Sequence, residues 1–448
     1  MRIVVIGGGG VGQHLASAVA PGAAVIVVDP NPEALAEVEE RVDALTLCGN
    51  GTHRDTLRKA EVHKADLVVA VSDNDTANIT AAALASGLGA RRSVARVDDP
   101  GFYDTTAAYE RSVLGVHAVL CASRLVSGEL LRMLTGRDCR HTFALAGGAL
   151  HGAIVEVGEG SPALAQAPQR LATAGSEVVR AVVRGGRVRA AAEVTSLGEG
   201  DALLMVGNPI DVARVVRYVR DQQASRAVLI GGGEIGSQLA ASMSRFENDV
   251  RLLEQDRARC ETLAATLPDV RVIHGDGTNL SLLRDERIGL CGSMCAVTQS
   301  DEVNLMASLL GQELGVKRTL ALVHRPGYAQ VYDHLGIHGT TSAHEVLASV
   351  LRWMLPGRRI VTRAGLPGTD DEVIEARVPP IDGRRLTPRD LPLPVGSVLL
   401  GTRRPDGTSA RSDDDLVGGE HVVVAMRSGQ GRELERAFEK LGGRKDPA

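Results

Sequence analysis

The N-terminal stretch Met1-Arg-Ile-Val-Val-Ile-Gly7-Gly8-Gly9-Gly10-Val11-Gly12 decides the fold, because an apolar, β-branched run breaks directly into G-x-G-x-x-G. A buried parallel strand needs such a run, and the glycines permit a tight turn, close approach of a pyrophosphate and close packing of the next helix. The phrase returns as Arg226-Ala-Val-Leu-Ile-Gly231-Gly232-Gly233-Glu234-Ile235-Gly236. One such motif is a weak signal; two in register are a strong one. Each is followed by a second apolar strand closing on an acid, Val25-Ile-Val-Val-Asp29 and Val250-Arg-Leu-Leu-Glu254. The spacing of roughly 20 residues suits a carboxylate that accepts from a ribose diol.

The duplication runs past the glycines. Gly49-Asn50-Gly51-Thr52 answers to Gly275-Asp276-Gly277-Thr278, Ser72-Asp73-Asn74-Asp75 to Thr298-Gln299-Ser300-Asp301, Asn78 to Asn304, and Pro100-Gly101 to Pro326-Gly327. Matching apolar strands lie between these marks, Ala65 to Val71 against Met294 to Thr298, then Ser93 to Val97 against Thr319 to Val323. Alternation of such strands with helical stretches predicts an α/β chain with two doubly wound parallel-sheet Rossmann domains, over residues 1–135 and 225–355.

A different segment follows each repeat. Between 140 and 222, strand-like stretches such as Gly152 to Val157 and Ala202 to Val206 alternate with glycine turns such as Arg184-Gly-Gly-Arg187, and a helix follows from Ile210 to Arg220. Residues 357–441 mirror this pattern, with strands around Asp371 to Val378 and His421 to Met426, a closing helix from Arg432 to Leu441, and a tail at 442–448. Each is expected to be a small α+β module, the first joined to the second repeat through Asp221 to Ser225.

The 448 residues allow about three to four domains of ordinary size. A net charge of −5 and 2% aromatic residues supply neither a basic face nor stacking platforms, so no nucleic-acid partner is expected. No apolar run reaches the roughly 18 to 20 residues of a membrane span, and the N-terminus is already a strand, so a cytoplasmic protein with no span of its own is expected. The six cysteines are scattered and read as buried hydrophobes. Cys291, Cys295 and His274 fit no standard zinc spacing, so no metal is expected.

Asp29 favours NAD over NADP, since a carboxylate there would repel a 2′-phosphate and Asp29-Pro-Asn-Pro32 offers no arginine in exchange. A dehydrogenase would also need a general acid or base beside the nicotinamide. The modules that would supply one are poor in such groups: His141, His151 and His421 are the histidines at hand, and His421 opens an apolar strand as a structural histidine would. No catalytic residue is therefore assigned. Asp73 and Asp75 fit ligand contact or capping better than hydride chemistry, and Asp75 with Asn78 reads as a helix start.

The succession of Rossmann repeat, small module, Rossmann repeat, small module resembles the TrkA-type regulatory subunits of bacterial Trk potassium-uptake systems. The resemblance rests on the two glycine loops, Gly49 to Thr52, Val71 to Asn78, Ala95-Arg96-Val97, Gly275 to Thr278 and Asp301 to Asn304. It implies regulator-of-conductance (RCK) N-type repeats, each with a C-type module, that bind NAD(H) or adenine nucleotides beneath a membrane potassium transporter. It thus implies a regulatory subunit at the inner face of the cell membrane and not an enzyme. An NAD-dependent oxidoreductase, or an RCK-type regulator of another cation transporter, is the alternative.

Carried over residue by residue, the resemblance implies ligand contacts at Gly7, Gly8, Gly9, Gly10, Val11, Gly12, Asp29, Asn50, Ser72, Asp73 and Arg96 in the first repeat. The corresponding set in the second repeat is Gly231, Gly233, Ile235, Gly236, Glu254, Asp276 and Thr298. NAD(H) is expected in the first repeat. NAD(H) or an adenine nucleotide is expected to bind more weakly in the second, because Leu322 answers to Arg96 and Glu234, an acid inside the phosphate loop, answers to Gly10. The helices Cys121 to Arg132 and Ser342 to Met354 have apolar positions on more than one face. They are expected to pack on a neighbouring domain or subunit, with Trp353 at a buried contact, in a homo-oligomer that the resemblance makes a tetramer.

Overall fold

The computed structural model describes residues 1–103, 115–136, 139–148, 150–171, 178–221, 226–247, 249–325, 327–355, 359–379, 386–403, 409–410, 415–416 and 418–441. The expected linker residues 222–225, the tail 442–448 and Pro326 lie outside them. The chain divides into two compact units, one of Met1–Leu130 with Ser225–Pro356, the other of Leu131–Ala224 with Gly357–Ala448.

In the first unit, the N-terminal repeat runs β1 (Arg2–Ile6), α1 (Gly10–Val19), β2 (Ala24–Asp29), α2 (Pro32–Arg41), β3 (Leu45–Cys48), α3 (Arg54–Lys59), β4 (Leu67–Ala70), α4 (Asp75–Gly87), β5 (Ser93–Val97), β6 (Ala118–Cys121) and α5 (Ala122–Gly136), which leads out of the sheet. Its strands lie in the order β3-β2-β1-β4-β5-β6, all parallel, with Val4 of β1 level with Ile26 of β2 and Val68 of β4. β1 is buried on both faces. Ile3 and Val5 join Leu15, Val19, Leu35 and Val38 under α1 and α2, while Val4 and Ile6 join Leu57, Ala81 and Ala85 under α3 and α4. A continuous Val/Ile run is what a strand covered by helices on both sides requires.

After the second glycine motif come β12 (Arg226–Ile230), α7 (Glu234–Met243), β13 (Asp249–Glu254), α8 (Arg257–Thr266), β14 (Val270–His274), α9 (Leu280–Asp285), β15 (Ser293–Ala296), α10 (Asp301–Leu314), β16 (Thr319–Leu322), α11 (Tyr328–His334), β17 (Gly339–Thr341) and α12 (Ala343–Met354). The sheet order, β14-β13-β12-β15-β16-β17, matches the first. The two repeats meet through α12: Leu347 and Leu351 are buried in the same cluster as Val11, Leu15 and Val19 of α1, and the Met354 carbonyl accepts from Arg92 at 3.2 Å. The apolar helix ending at Met354 therefore packs on the other repeat of its own chain. Trp353 is half-buried, while Leu347 and Leu351 lie in the buried cluster.

In the second unit, β7 (His141–Leu145), β8 (Leu150–Glu156), β9 (Val179–Arg184), β10 (Arg187–Ala190) and β11 (Ala202–Gly207) form an antiparallel sheet of order β10-β9-β11-β8-β7, followed by α6 (Pro209–Val219). The closing module has β18 (Ile360–Gly365), β19 (Asp371–Arg377), β20 (Val398–Arg403), β21 (Ser409–Ala410), β22 (His421–Arg427) and α13 (Gly431–Leu441), with order β18-β19-β22-β20-β21. One face of each sheet contributes to a shared core that includes Phe143, Leu145, Ile154 and Leu204 from the first and Val373, Leu400, Val423 and Ala425 from the second. The fully buried Glu375 carboxylate ties the modules together by accepting from the Ala146 N–H, from the Thr362 hydroxyl (both at 3.0 Å) and lying 3.1 Å from His421 Nδ1.

Candidate functional site

Each parallel sheet reverses its strand order between its first and fourth strands, and that reversal opens a crevice at their carboxyl ends. The first glycine loop lines one such crevice. Gly7 has φ +112°, and a Cβ there would stand 2.9 Å from the Ser72 nitrogen at the end of β4; at Gly12 it would stand 1.8 Å from the Gly7 carbonyl oxygen. At Gly9 it would meet nothing within 4 Å. Two glycines thus permit the turn and the helix contact, while Gly9 faces open space at the N-terminus of α1. No acid stands in the first turn of α1, so its free N–H groups present an anion-binding end.

The second loop repeats the backbone, with φ +105° at Gly231, 1.9 Å from a Gly236 Cβ to the Gly231 carbonyl, and open space at Gly233. Its electrostatics differ. Glu234 sits in the first turn of α7 and pairs with Arg259 of α8 at 3.0 Å, while Arg259 Nε also donates to the Gly232 carbonyl at 3.0 Å. The acid that sequence set against a phosphate is thus held by an arginine, and a diphosphate there would compete with an existing ion pair. In the first repeat Gln13 Nε2 donates to the matching Gly8 carbonyl at 3.1 Å.

Both strand-end acids lie against their loops. Asp29 accepts from the Gly8 N–H at 2.6 Å and the Asn31 N–H at 2.7 Å; Glu254 accepts from Gly232 at 2.7 Å and Asp256 at 2.8 Å. Asn50 and Asp276 close Asx turns, each accepting from the N–H and hydroxyl two residues on, Thr52 and Thr278. Those Thr278 bonds, backbone first, hold the Asp276 carboxyl below its ordinary range. Val11 points into the core beneath α1, and Ile235 is half-buried at the corresponding place.

At the end of β4, the buried Asn78 side chain accepts from the Ser72 N–H (2.8 Å) and hydroxyl (2.7 Å) and donates to the carbonyls of Ser72 (2.7 Å) and Arg96 (3.0 Å). Asn304 binds Thr298 and the Leu322 carbonyl in the same way. α4 starts at Asp75, as expected, but the capping side chain is not an aspartate. Asn74 is the cap, accepting from Ala77 at 2.8 Å, and Asp75 instead accepts from the Asp98 and Asp99 N–H groups beyond β5. The largely buried Arg96 donates to Asp98 at 2.7 Å, lies 3.5 Å from the exposed Asp73, and keeps a buried Nε with no partner among the described residues.

One group at the first loop carried no sequence signal. His344, in the first turn of α12 of the second repeat, reaches the start of α1, with its ring centroid 6.4 Å from that of His14. Only the tertiary contact of α12 with α1 brings it there.

Acid–base groups elsewhere fit structural roles. His421 lies against Glu375, and the buried His151 has its pKa lowered to about 3, by burial first and then by Arg132. Among the described residues no cluster of histidine, cysteine and acidic groups is placed to hold a metal, and burial pushes the Cys291 and Cys295 thiols up to about 11 and about 12.

Two glycine-loop Rossmann sheets and two antiparallel modules alternate along the chain. The TrkA-N domain model matches residues 3–121 and 227–343, and the chain belongs to that family. It is 30% identical over 425 residues to a Trk system potassium uptake protein TrkA homolog of Archaeoglobus fulgidus, covering 93% of this chain and 97% of the relative. It is 26% identical over 454 residues to the Trk system potassium uptake protein TrkA of Halomonas elongata, covering 98% and 99%. Among solved structures, the GsuK RCK domain superposes with a TM-score of 0.57 at 19% identity, covering 98% of this chain and 95% of that one. The GsuK channel bound to NAD gives 0.56 at 18%, covering 98% and 79%. These two likenesses establish the fold. No helix among the described residues is long and apolar enough to cross a membrane.

Proposed function

We propose that the chain is a nucleotide-sensing regulatory subunit that controls potassium uptake through a membrane Trk-type transporter, placed at the inner face of the cell membrane and not itself an enzyme. The observation that carries this reading is the duplicated glycine loop on one chain of the TrkA-N family, whose relatives bear Trk potassium-uptake names. We assign the ligand contacts to Gly7 through Gly12, Asp29, Ser72, Asp73 and Arg96 in the first repeat. In the second they are Gly231, Gly233, Ile235, Gly236, Glu254 and Thr298. Asn50 and Asp276 are assigned to the same sites: each holds its turn through Oδ1 alone, which leaves Asn50 Nδ2 and Asp276 Oδ2 to a ribose. The first site is assigned NAD(H), the second a weaker NAD(H) or adenine-nucleotide site because Glu234 and Arg259 are already paired across its loop.

Control of this kind is a population shift: only a difference in ligand affinity between two arrangements of the assembly can move a gate. A tenfold difference at a site supplies about 1.4 kcal/mol, so coupled sites add leverage. The test is potassium flux through the cognate transporter in vesicles, with and without the purified protein and NAD or NADH. Flux that responds to the protein in a nucleotide-dependent way is expected. Unchanged flux, together with NADH oxidation on addition of small carbonyl substrates, would instead favour an oxidoreductase.

Two outcomes follow directly. Asp29→Ala should weaken NAD binding by about tenfold or more and narrow the preference for NAD over NADP, read by calorimetry with both cofactors. Equal affinity of the unaltered protein for the two cofactors would refute the role given to Asp29. The chain should also be a homo-oligomer, assigned as a tetramer, whose hydrodynamic size changes with nucleotide. Light scattering that shows a monomer at micromolar concentration in all conditions would exclude a gating assembly.

A further inference from the structure

We propose that His344, carried by the second repeat, is a phosphate-contacting residue of the first repeat's nucleotide site, so that a dinucleotide bound there is held by both repeats at once. The proposal rests on the nucleotide reading above and adds to it a residue outside either glycine motif. A Cβ built on Gly10 would lie 3.3 Å from His344 Cε1 and 3.6 Å from Nε2, so the imidazole stands directly over the first residue of α1. That is the end of the helix whose free N–H groups attract an anion. The ring is fixed there by its own helix, because Leu347 and Leu351, one and two turns further on, are buried against α1.

The charged and titratable groups facing His344 come from both repeats. His14 belongs to α1, Arg96 to β5, Asp73 to the turn after β4, and His324 to the turn after β16 in the second repeat. Asp73 is the one anion in this set, and it is already shared with Arg96 at 3.5 Å. Such a surround disfavours additional positive charge on His344 in the free protein and welcomes it once a diphosphate arrives. Burial first, then His14, Arg96 and His324, lower the pKa of the ring, with Asp73 opposing. The corresponding position at the start of α5 is Ser123, whose hydroxyl donates to the Asp98 carbonyl at 3.1 Å. The imidazole is thus a feature of one half of the duplication.

The consequence is proton uptake on binding. A diphosphate beside the ring raises its pKa, so affinity rises as pH falls from the bound-state pKa toward the lower free-state value, and levels off outside that window. The pyrophosphate diester of NAD does not itself titrate there, so the slope reports the protein.

The experiment is calorimetric titration of the full chain with NAD at about pH 8 and about pH 6, in two buffers of different ionisation enthalpy. The expected result is binding about five- to tenfold tighter at the lower pH, with fractional proton uptake. His344→Gln should bind within about threefold of the unaltered protein at about pH 8 and lose the slope, and His344→Lys, charged throughout, should bind tightly at both pH values. His14→Gln should keep most of the slope. A residue that only packs α12 against α1 would leave the slope intact in His344→Gln, and that result, or a pH-independent affinity in the unaltered protein, overturns the proposal. Failure of the nucleotide reading looks different: no NAD binding at either pH. Binding of NAD that survives Asp29→Ala unchanged would place the ligand elsewhere and overturn both.

Discussion

Gly9→Asp is expected to reduce NAD affinity of the first repeat by about 100-fold or more, a loss of about 2.7 kcal/mol, while leaving the folded state almost as stable as before. The two halves of that statement have separate causes. A Cβ on Gly9 meets nothing within 4 Å and the residue has φ −70°, so a side chain is sterically free in the unliganded protein. An aspartate at this N-cap position even suits the helix. The open space it would fill is the space assigned to the pyrophosphate, and its charge repels that group. Gly12→Ala should behave oppositely, because its Cβ would stand 1.8 Å from the Gly7 carbonyl oxygen and the strand-to-helix turn would have to open. Gly233→Asp should cost less binding, since Glu234 and Arg259 already compete at that loop. Calorimetry combined with denaturant unfolding separates these effects. A destabilised Gly9→Asp protein, or one that still binds NAD normally, would contradict the assignment.

Asn78→Ala should destabilise the first unit by about 3 kcal/mol. The Asn78 side chain makes four hydrogen bonds with a side-chain exposure near zero, and it fastens α4 to the ends of β4 and β5. Truncation leaves the Ser72 N–H and the Ser72 and Arg96 carbonyls to find new partners in a buried place, which costs more than the loss of the bonds themselves. Because Ser72 and Arg96 are both assigned ligand contacts, NAD affinity should fall alongside stability. Asn304→Ala should cost a similar amount in the second repeat. Urea unfolding of both variants checks this, and a change below about 1 kcal/mol in either would show that water replaces the clamp.

What the residue string made legible was whatever depends on backbone conformation or on short spacing. Gly7 and Gly12 were legible because no other residue tolerates the φ of the one or the contact of the other. Asp29 and Glu254 were legible because one strand-helix-strand unit fixes their distance from the loop. The pairing of Asn78 with Asn304 was visible as a repeat mark, although its clamping role needs the ends of two other strands. The helix start at Asp75 was legible, but not that Asn74 caps it while Asp75 serves the turn after β5, because both residues suit an N-terminus and only tertiary contacts choose between them. The pairing of Glu234 with Arg259 joins residues on two successive helices and leaves no local pattern. His344 was invisible for the same reason at larger scale, since nothing near it in sequence names the surface it meets.

The contact of α12 with α1 also bears on how this chain can evolve. In an assembly of identical subunits every substitution at a pairing surface is made on both sides of it, so a change that helps one copy is imposed on the other. Here the partners are joined in one polypeptide and encoded separately. A histidine can face one loop while serine holds the matching place, and an acid can enter one glycine turn while glycine stays in the other. The covalent link keeps the halves at high effective concentration, so weakening one face need not cost the pair its association. The duplicated chain is therefore free to hold two unequal receptors in a fixed one-to-one ratio, and so to weigh two chemical signals against each other.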